Sequence, residues 1–469
     1  MKQKNQPSVL EASLVLTVII ASIALGVIVM KVSPSIAILA SIAIVMVYAV
    51  IKRVPFDQIN RGIVQGIKPG IIPIFIFLLI GALIAVWIQA GIIPTLMVYG
   101  FKLISVKWFV PSIFIVCAIV GSAVGSAFTV MSTVGIAFFG IGTTLGIHPP
   151  LLVGAIASGA IFGDKMSPLS ESTNLAAAIA EVDLFKHIQN MLWSTIPAFI
   201  VSLILFSVLG VSETSAPLSE INEVVHVLES NFSVSLWAFI PILFMFFCAW
   251  KKIPAILTIL LNVGIAILFI IVQSPETPIT QIATFVESGF FSTTGNQQID
   301  LLLSRGGLAS MMPTVSLIIL TLSLGGLLME TNLISTVMGV VATKIKSGSG
   351  TIVASLLTSI GINFFIGEQF LSVILPGNAF KEVYREKKID LVVLSRVLED
   401  GGTVINYLIP WGIAGSFVAS TFGVPTLTYF PFVFFSLLSP VFSMLSAITG
   451  IGVTYLDQRV EKKKFFSIK

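Results

Sequence analysis

The sequence predicts an all-α polytopic membrane protein, and three observations predict it. Of 469 residues, 56% are hydrophobic and 10% charged, against roughly a quarter charged in ordinary soluble domains. Mean hydropathy is +1.04. Apolar runs approaching or exceeding the roughly 20 residues a helix needs to cross the hydrocarbon core recur near 12–30, 33–51, 71–90, 109–120, 126–147, 188–210, 234–250, 253–273, 310–329, 349–376, 389–415 and 426–454. Backbone groups in lipid must be satisfied within the segment, which selects helices over isolated strands. A β-barrel would instead show alternating pieces of about ten residues.

The first run is too long for a signal-peptide core and lacks a small-residue cleavage site, so it is read as a retained helix. Lys2 and Lys4 precede it, and Lys52, Arg53, Arg61 and Lys68 against Asp57 follow the second run. The positive-inside rule places both regions in the cytoplasm and directs 71–90 outward. Segment 212–230 carries Glu213, Glu220, Glu223 and Glu229 and no Lys or Arg, whereas Lys251-Lys252, KEVYREKK (381–388) and Lys462–Lys464 are basic. With 212–230 and 274–309 outside and the basic loops inside, both termini are cytoplasmic and 310–329 runs inward.

The composition excludes several functions. A net charge of +4 confined to loops suits a lipid surrounding and no nucleic-acid partner. Cys117 and Cys248 sit inside apolar runs, which gives neither a disulfide framework nor a thiol metal site. No G-x-x-x-x-G-K-[ST], H-E-x-x-H or G-x-S-x-G motif is present, so neither an ATPase nor a hydrolase is expected, and no cofactor.

The two halves of the chain are faintly alike. GSAFTVMSTVGIAF (125–138) set against GEQFLSVILPGNAF (367–380) matches at Gly, Phe, Gly, Ala and Phe; upstream, IGALI (80–84) resembles LGGLL (324–328). Downstream, Asp164 falls opposite Asp400, Ser167 opposite Thr403 and Ser170 opposite Asn406. Three patches in one order, in segments of opposite direction, predict an inverted repeat of the kind common in secondary transporters, with broken helices or re-entrant hairpins. The expected division is 1–70 N-terminal helices, 71–211 first repeat, 212–309 a connecting region with two helices, 310–425 second repeat, and 426–469 a last helix with a basic tail.

One polar stretch stands out. GDKMSPLSESTNLAAA (163–178) follows the apolar and small residues LLVGAIASGAIF. A charge at membrane depth costs about 3 kcal/mol on insertion scales, so Asp164 and Glu171 become site candidates. Gly159, Gly163 and Pro168 interrupt the helical pattern, and Pro168 removes an amide donor and disfavours α geometry at Ser167. Carbonyls freed at such a break can coordinate a cation together with Ser167, Ser170, Ser172, Thr173 and Asn174. Oxygen ligands suit a hard ion such as Na⁺. The competing account is a surface loop with Asp164 as a helix cap. Lys165 pairs with Asp164 or Glu171 on one reading and snorkels to the surface on the other.

Other polar positions divide between a site and a structural role in the same way. Glu368, flanked by apolar residues with Gly361, Asn363 and Gly367, is difficult to explain structurally and is assigned to the site. Glu399 and Asp400 lead into GGTVINYLIPW, a second helix-breaking stretch with Thr403, Asn406 and Pro410; Arg396, four residues earlier, offers Asp400 an ordinary intrahelical ion pair. Glu330 reads as a cap or surface group, and Glu181, Asp183, Lys186 and His187 as a solvated connection. His148 precedes Pro149-Pro150 and His226 lies in the acidic loop, so no histidine is placed inside the membrane and proton handling rests on carboxylates. Ser126 and the hydroxyls of FTVMST (128–133) line a path or serve close helix packing.

GDKMSPLSESTNLA resembles the signature of the NhaC family of bacterial Na⁺/H⁺ antiporters, with Glu171-Ser172 where that signature usually has Asp-Thr. GIKPGIIPIFIFLLIGALI (66–84) and the chain length are similar too. The resemblance implies broken helices in an inverted repeat, a bacterial cytoplasmic membrane, Na⁺ and H⁺ as partners, and a site in which Asp164, Ser167, Ser170, Glu171 and Asn174 fall on the signature. A branch of the family resembles malate/lactate exchangers; a carboxylate substrate would call on Lys165, Arg396, Asn174 or Asn406. Burial disfavours a charged carboxylate, so Asp164, Glu368 or Asp400 is expected to hold H⁺ when empty and release it when Na⁺ arrives. A cation channel would use similar residues but pass current without counter-ion movement, and is commonly a symmetric oligomer of shorter subunits. A homodimer is compatible with the composition, and no stretch of sequence argues for an interface.

Overall fold

Helices form the framework among the residues that the computed structural model describes, 7–103, 108–210, 218–251 and 253–456. The expectations placed on Lys2, Lys4, Glu213, Lys252 and Lys462–Lys464 lie outside these residues. Nine helices among those described are long and apolar enough to cross a membrane.

The chain begins with α1 (Val9–Ala24), started by a capping box in which Ser8 and Glu11 satisfy each other's amides. Then come α2 (Pro34–Ile51), α3 (Phe56–Ile67), α4 (Ile71–Gln89) and α5 (Ile92–Leu103). Next are α6 (Phe109–Val124), α7 (Ala127–Val130), α8 (Ile136–Thr144) and α9 (Pro149–Met166), followed by α10 (Glu171–Ile179) and α11 (Leu184–Leu209). The connecting region holds α12 (Leu218–Asn231), α13 (Phe239–Trp250), α14 (Ala255–Gln273), α15 (Ile279–Ser288) and α16 (Gln297–Leu303). The remainder is α17 (Leu308–Glu330), α18 (Leu333–Lys344), α19 (Gly348–Ile366), α20 (Gln369–Glu386), α21 (Leu391–Leu398), α22 (Ile413–Phe422), α23 (Thr426–Tyr429) and α24 (Phe434–Thr449).

Three apolar runs are interrupted in the structure, one of them, 389–415, at the helix-breaking stretch that the sequence predicts. Run 349–376 stops at Gly367, whose φ of 65° is left-handed and ends α19; Glu368 is extended and starts α20. Run 389–415 passes from α21 into a π turn at Glu399–Thr403 and a 3₁₀ turn at Val404–Leu408 before α22, where Gly401, Gly402 and Pro410 weaken the regular ladder. Run 426–454 is bent by 58° between Thr426–Phe432 and Phe434–Thr449. Run 126–147 stays one rod from Ala127 to Thr144, loosened by a π turn at Met131–Gly135, where Ser132 and Thr133 bond back to Phe128 and Thr129 carbonyls at 2.8 and 2.6 Å.

Glycine lets the rods approach closely, as is common where lipid gives helices no hydrophobic drive to associate. A Cβ at Gly163 of α9 would lie 2.5 Å from the Gly121 Cα and the Ser122 nitrogen of α6. A Cβ at Gly326 of α17 would strike the Gly62 carbonyl of α3, and one at Gly66 the Leu322 carbonyl. Against these backbones a side chain has nowhere to move. Gly326→Leu is therefore expected to destabilise the detergent-solubilised protein by about 1–3 kcal/mol, the range for overpacking. Gly264→Ala, where an added Cβ meets nothing within 4 Å, should leave the midpoint unchanged or slightly raised. Equal thermal midpoints for Gly326→Leu and wild type would show that this crossing is not tight.

Candidate functional site

The polar signature sits where α9 stops. Asp164 lies in the last turn of α9, not at a cap, and its carbonyl accepts from the Ser167 amide at 3.1 Å. Ser167 is extended, as the following proline requires, and Ser170 opens α10 by accepting from the Thr173 amide. Much of the hydroxyl and amide row is spent on this break. Ser167 Oγ accepts from the Leu169 amide, Thr173 Oγ1 donates to the Lys165 carbonyl at 3.1 Å, and Asn174 Nδ2 donates to the Pro168 and Ser170 carbonyls at 2.9 and 2.7 Å. Glu171 and Asn174 are solvent-exposed.

The second break is held by asparagines. Asn363 Nδ2 donates to the Gly401 and Gly402 carbonyls, while its Oδ1 accepts from Asn406 Nδ2 at 2.8 Å. Asn406 Oδ1 in turn accepts from the Ala414 amide at 2.8 Å. The carbonyls that a π turn leaves without helical partners are thereby satisfied inside the protein.

The two breaks meet. Lys165 Nζ, 1% exposed, donates to Asp400 Oδ1 at 2.5 Å, to Ser439 of α24 at 2.9 Å and to Ser194 of α11 at 3.3 Å. Ser439 also donates to Asp400 at 2.6 Å. This corrects the expectation that Lys165 pairs with Asp164 or Glu171 or snorkels: the wholly buried Asp400 carboxylate gives it a charge partner at depth. The pair expected between Arg396 and Asp400 is also absent, because Arg396 donates to Ser446 at 2.8 Å and to the Gly452 carbonyl at 3.3 Å. Glu399 is fully buried and joins the breaks a second time: its Oε1 accepts from Ser172 at 2.9 Å and Thr403 at 2.8 Å. Its proximity to the signature depends on the fold, and only its place beside Asp400 hinted at it.

Asp164 faces the Ala127 amide at the start of α7 and the Ser170 hydroxyl, with Glu399 and Glu171 near enough to repel it. It lines a cavity of about 660 Å³ together with Ser126, Thr129, Ser170, Glu171 and Asn174; among the described residues no Lys or Arg lines this cavity. Pro69 at the foot of α4 and Ile253-Pro254 at the foot of α14 also line it, so it lies at the helix ends next to Lys68 and Lys251. Glu368 does not line it. Its two oxygens accept from the Phe370 and Leu371 amides at 2.9 and 2.6 Å, capping α20.

Glu181 behaves as the solvated connection expected: exposed, it accepts from Lys381 at 2.9 Å and Arg385 at 2.6 Å, and these bonds, Lys381 foremost, hold its carboxyl below the usual range. His187 does not. It is fully buried in the first turn of α11, with Nδ1 2.8 Å from Ser395 Oγ, so a histidine does lie within the helix bundle. Glu330 ends α17 at the surface, 4.0 Å from Arg61.

Comparison with known proteins agrees with this architecture. The sequence profile of the Na⁺/H⁺ antiporter family matches residues 7–173 and 159–451. The Na⁺/H⁺ antiporter NhaC of Alkalihalophilus pseudofirmus is 40% identical over 440 residues, covering 94% of this chain and 95% of the relative. The Bacillus subtilis protein of the same name is 37% identical over 418 residues, 89% and 92% of the two chains. The malate-2H⁺/Na⁺-lactate antiporter of Bacillus subtilis is 30% identical over 464 residues, 98% and 99%. The chain, an integral membrane protein by its apolar helices, belongs to the Na⁺/H⁺ antiporter family.

Proposed function

We propose that the protein exchanges Na⁺ for H⁺ by alternating access, with Asp164 and Glu399 as the carboxylates that the two cations share and Lys165–Asp400 as the pair that holds the broken helices in register. One observation carries this reading: the cavity is lined by the carboxylates Asp164 and Glu171 and, among the described residues, by no basic side chain. Two like charges such as Asp164 and Glu399 are compatible only when a cation or a proton accompanies them. Na⁺ entering the cavity would meet Asp164 with the Ser170 and Ser126 hydroxyls, and its charge would favour loss of a proton from this cluster. When the opposite face opens the reverse exchange follows.

Na⁺- and H⁺-coupled carboxylate exchange is the second reading, favoured by the likeness to the malate-2H⁺/Na⁺-lactate antiporter. It is the weaker one. Lys165 and Arg396, the cations a carboxylate would need, are buried and committed to Asp400, Ser446 and Gly452, and neither reaches the cavity. Asn406 is committed to Asn363 and Ala414.

We further propose that 71–211 and 310–425 are the two copies of an inverted repeat, with 212–309 between them, both termini cytoplasmic and the cavity open to the cytoplasm. Local geometry supports it. Gly125 and Gly367 both end a helix in the left-handed region, at φ 70° and 65°, and each is followed by an extended residue, Ser126 or Glu368, whose side chain caps the next helix. Lys68, next in sequence to the lining residue Pro69, supports the cytoplasmic assignment.

In everted vesicles, Na⁺ addition is expected to move protons with no organic acid present, and Asp164→Asn to lower that rate at least about tenfold. A response that requires malate or lactate would transfer the protein to the second reading. Lys165→Ala, which strands the Asp400 charge, should cost about 3–5 kcal/mol of stability, whereas Lys165→Met with Asp400→Leu should recover most of it without restoring exchange. A Lys165→Ala protein as stable as wild type would remove the pair from its structural role.

A further inference from the structure

Behind the ion pair the sequence places polar residues at helical spacing. Ser436, Ser439, Ser443 and Ser446 of α24 follow one another by three, four and three residues, and His187, Asn190 and Ser194 of α11 by three and four, so each set shares one helix face. All are buried. At one end, Ser439 and Ser194 touch Lys165. At the other, Ser446 Oγ donates to the Ile451 carbonyl and Asn190 Nδ2 to the Gly452 carbonyl, which Arg396 also reaches. The two faces thus bound one polar seam from the Lys165–Asp400 pair to the turn after α24.

Polar atoms along this seam lack a partner in the protein: Asp400 Oδ2, Ser436 Oγ, Ser443 Oγ, Arg396 Nε, Asn190 Oδ1 and His187 Nε2. Buried polar groups are almost always satisfied by protein or by ordered water, so six orphans in one seam call for water. Ser395 Oγ lies 2.9 Å from the Val392 carbonyl and 2.8 Å from His187 Nδ1; with its O–H on that carbonyl it accepts from Nδ1, the tautomer that leaves Nε2 as an acceptor. Neither polar face borders the 660 Å³ cavity: no seam residue lines it.

We propose that this seam is a hydrated proton path between the junction and the protein face carrying the Gly450–Gly452 turn, separate from the cavity through which Na⁺ would enter. Each water or hydroxyl accepts a proton on a lone pair and passes on its own. His187 takes one on Nε2 from a water and returns it from the same nitrogen to the next water, so no net charge remains on the ring. The charged groups facing the seam are Lys165, Asp400 and Arg396. The path rests on the Na⁺/H⁺ exchange reading and adds to it a second route.

The test uses the full chain in proteoliposomes and two readouts: Na⁺-driven proton movement, and exchange of labelled Na⁺ for Na⁺ at equal pH, which moves no proton. His187→Gln and Ser443→Val are expected to slow proton movement by at least about tenfold, short of the roughly hundredfold or more that a lost proton-transfer group typically costs because neighbouring waters can partly substitute, while Na⁺/Na⁺ exchange stays within about twofold. Ser443→Thr, which restores the hydroxyl, should restore the rate. Proton movement unchanged in both variants, or the two readouts falling together, overturns the path alone; if Ser443→Val does not assemble, His187→Gln decides. A wild-type protein that moves no protons with Na⁺, with or without malate or lactate, overturns the exchange reading and the path with it.

Discussion

The ion pair between Lys165 and Asp400 is the contact on which the rest of the site depends. Each partner stands at a place where a helix fails, Lys165 one residue before α9 ends and Asp400 inside the π turn after α21. Alone, either charge would be intolerable at this depth; together, with Ser439 and Ser194 supplying further hydrogen bonds, they offset much of the desolvation. A buried pair of this kind adds little net stability compared with an apolar filling. What it adds is position, because two helix breaks distant in sequence can meet in one arrangement only.

That meeting requires bare backbone. Gly121, Gly159 and Gly163 bring α6 against α9, and Gly401 and Gly402 bring the π turn against α19 and α20. Once the rods are this close, carbonyls released by the breaks find Asn363, Thr173 and Asn174 as donors, and the remaining oxygens, on Asp164 and Glu399, are left for other cations. Packing and chemistry are therefore one constraint here. A larger residue at Gly163 would move Asp164 as surely as it would strain the helices.

Much of this was legible in the sequence, and the part that was not has a common cause. Asp164 and the break around Pro168 follow from local rules, since proline geometry and the cost of an intramembrane charge act within a few residues. The same rules found Asp400, but misassigned its partner, because Arg396 is near in sequence while Lys165 is near only in space. Glu368 was found for a sound reason and turns out to cap α20, a role its isolation among apolar residues did not reveal. His187 was misread because Glu181, Asp183 and Lys186 beside it are polar; its ring points the other way, into the seam between α11, α21 and α24. The continuous apolar run at 349–376 hid a break that depends on the single glycine Gly367.

The balance of charge explains why such a site would move ions rather than merely bind them. Asp400 has Lys165 within the protein, but among the described residues no Lys or Arg lies within ion-pair distance of Asp164 or Glu399. On the proposed exchange reading, Na⁺ and H⁺ are the cations that would neutralise them. Because Glu399 is tied to Ser172 on the first break and Thr403 on the second, whatever charge it carries acts on both at once. On the proposed reading, a cation that neutralised this pair would change the repulsion across the junction of the two breaks, and the same few oxygens would couple binding to relative movement. A site satisfied wholly by the protein's own cations would have no such lever.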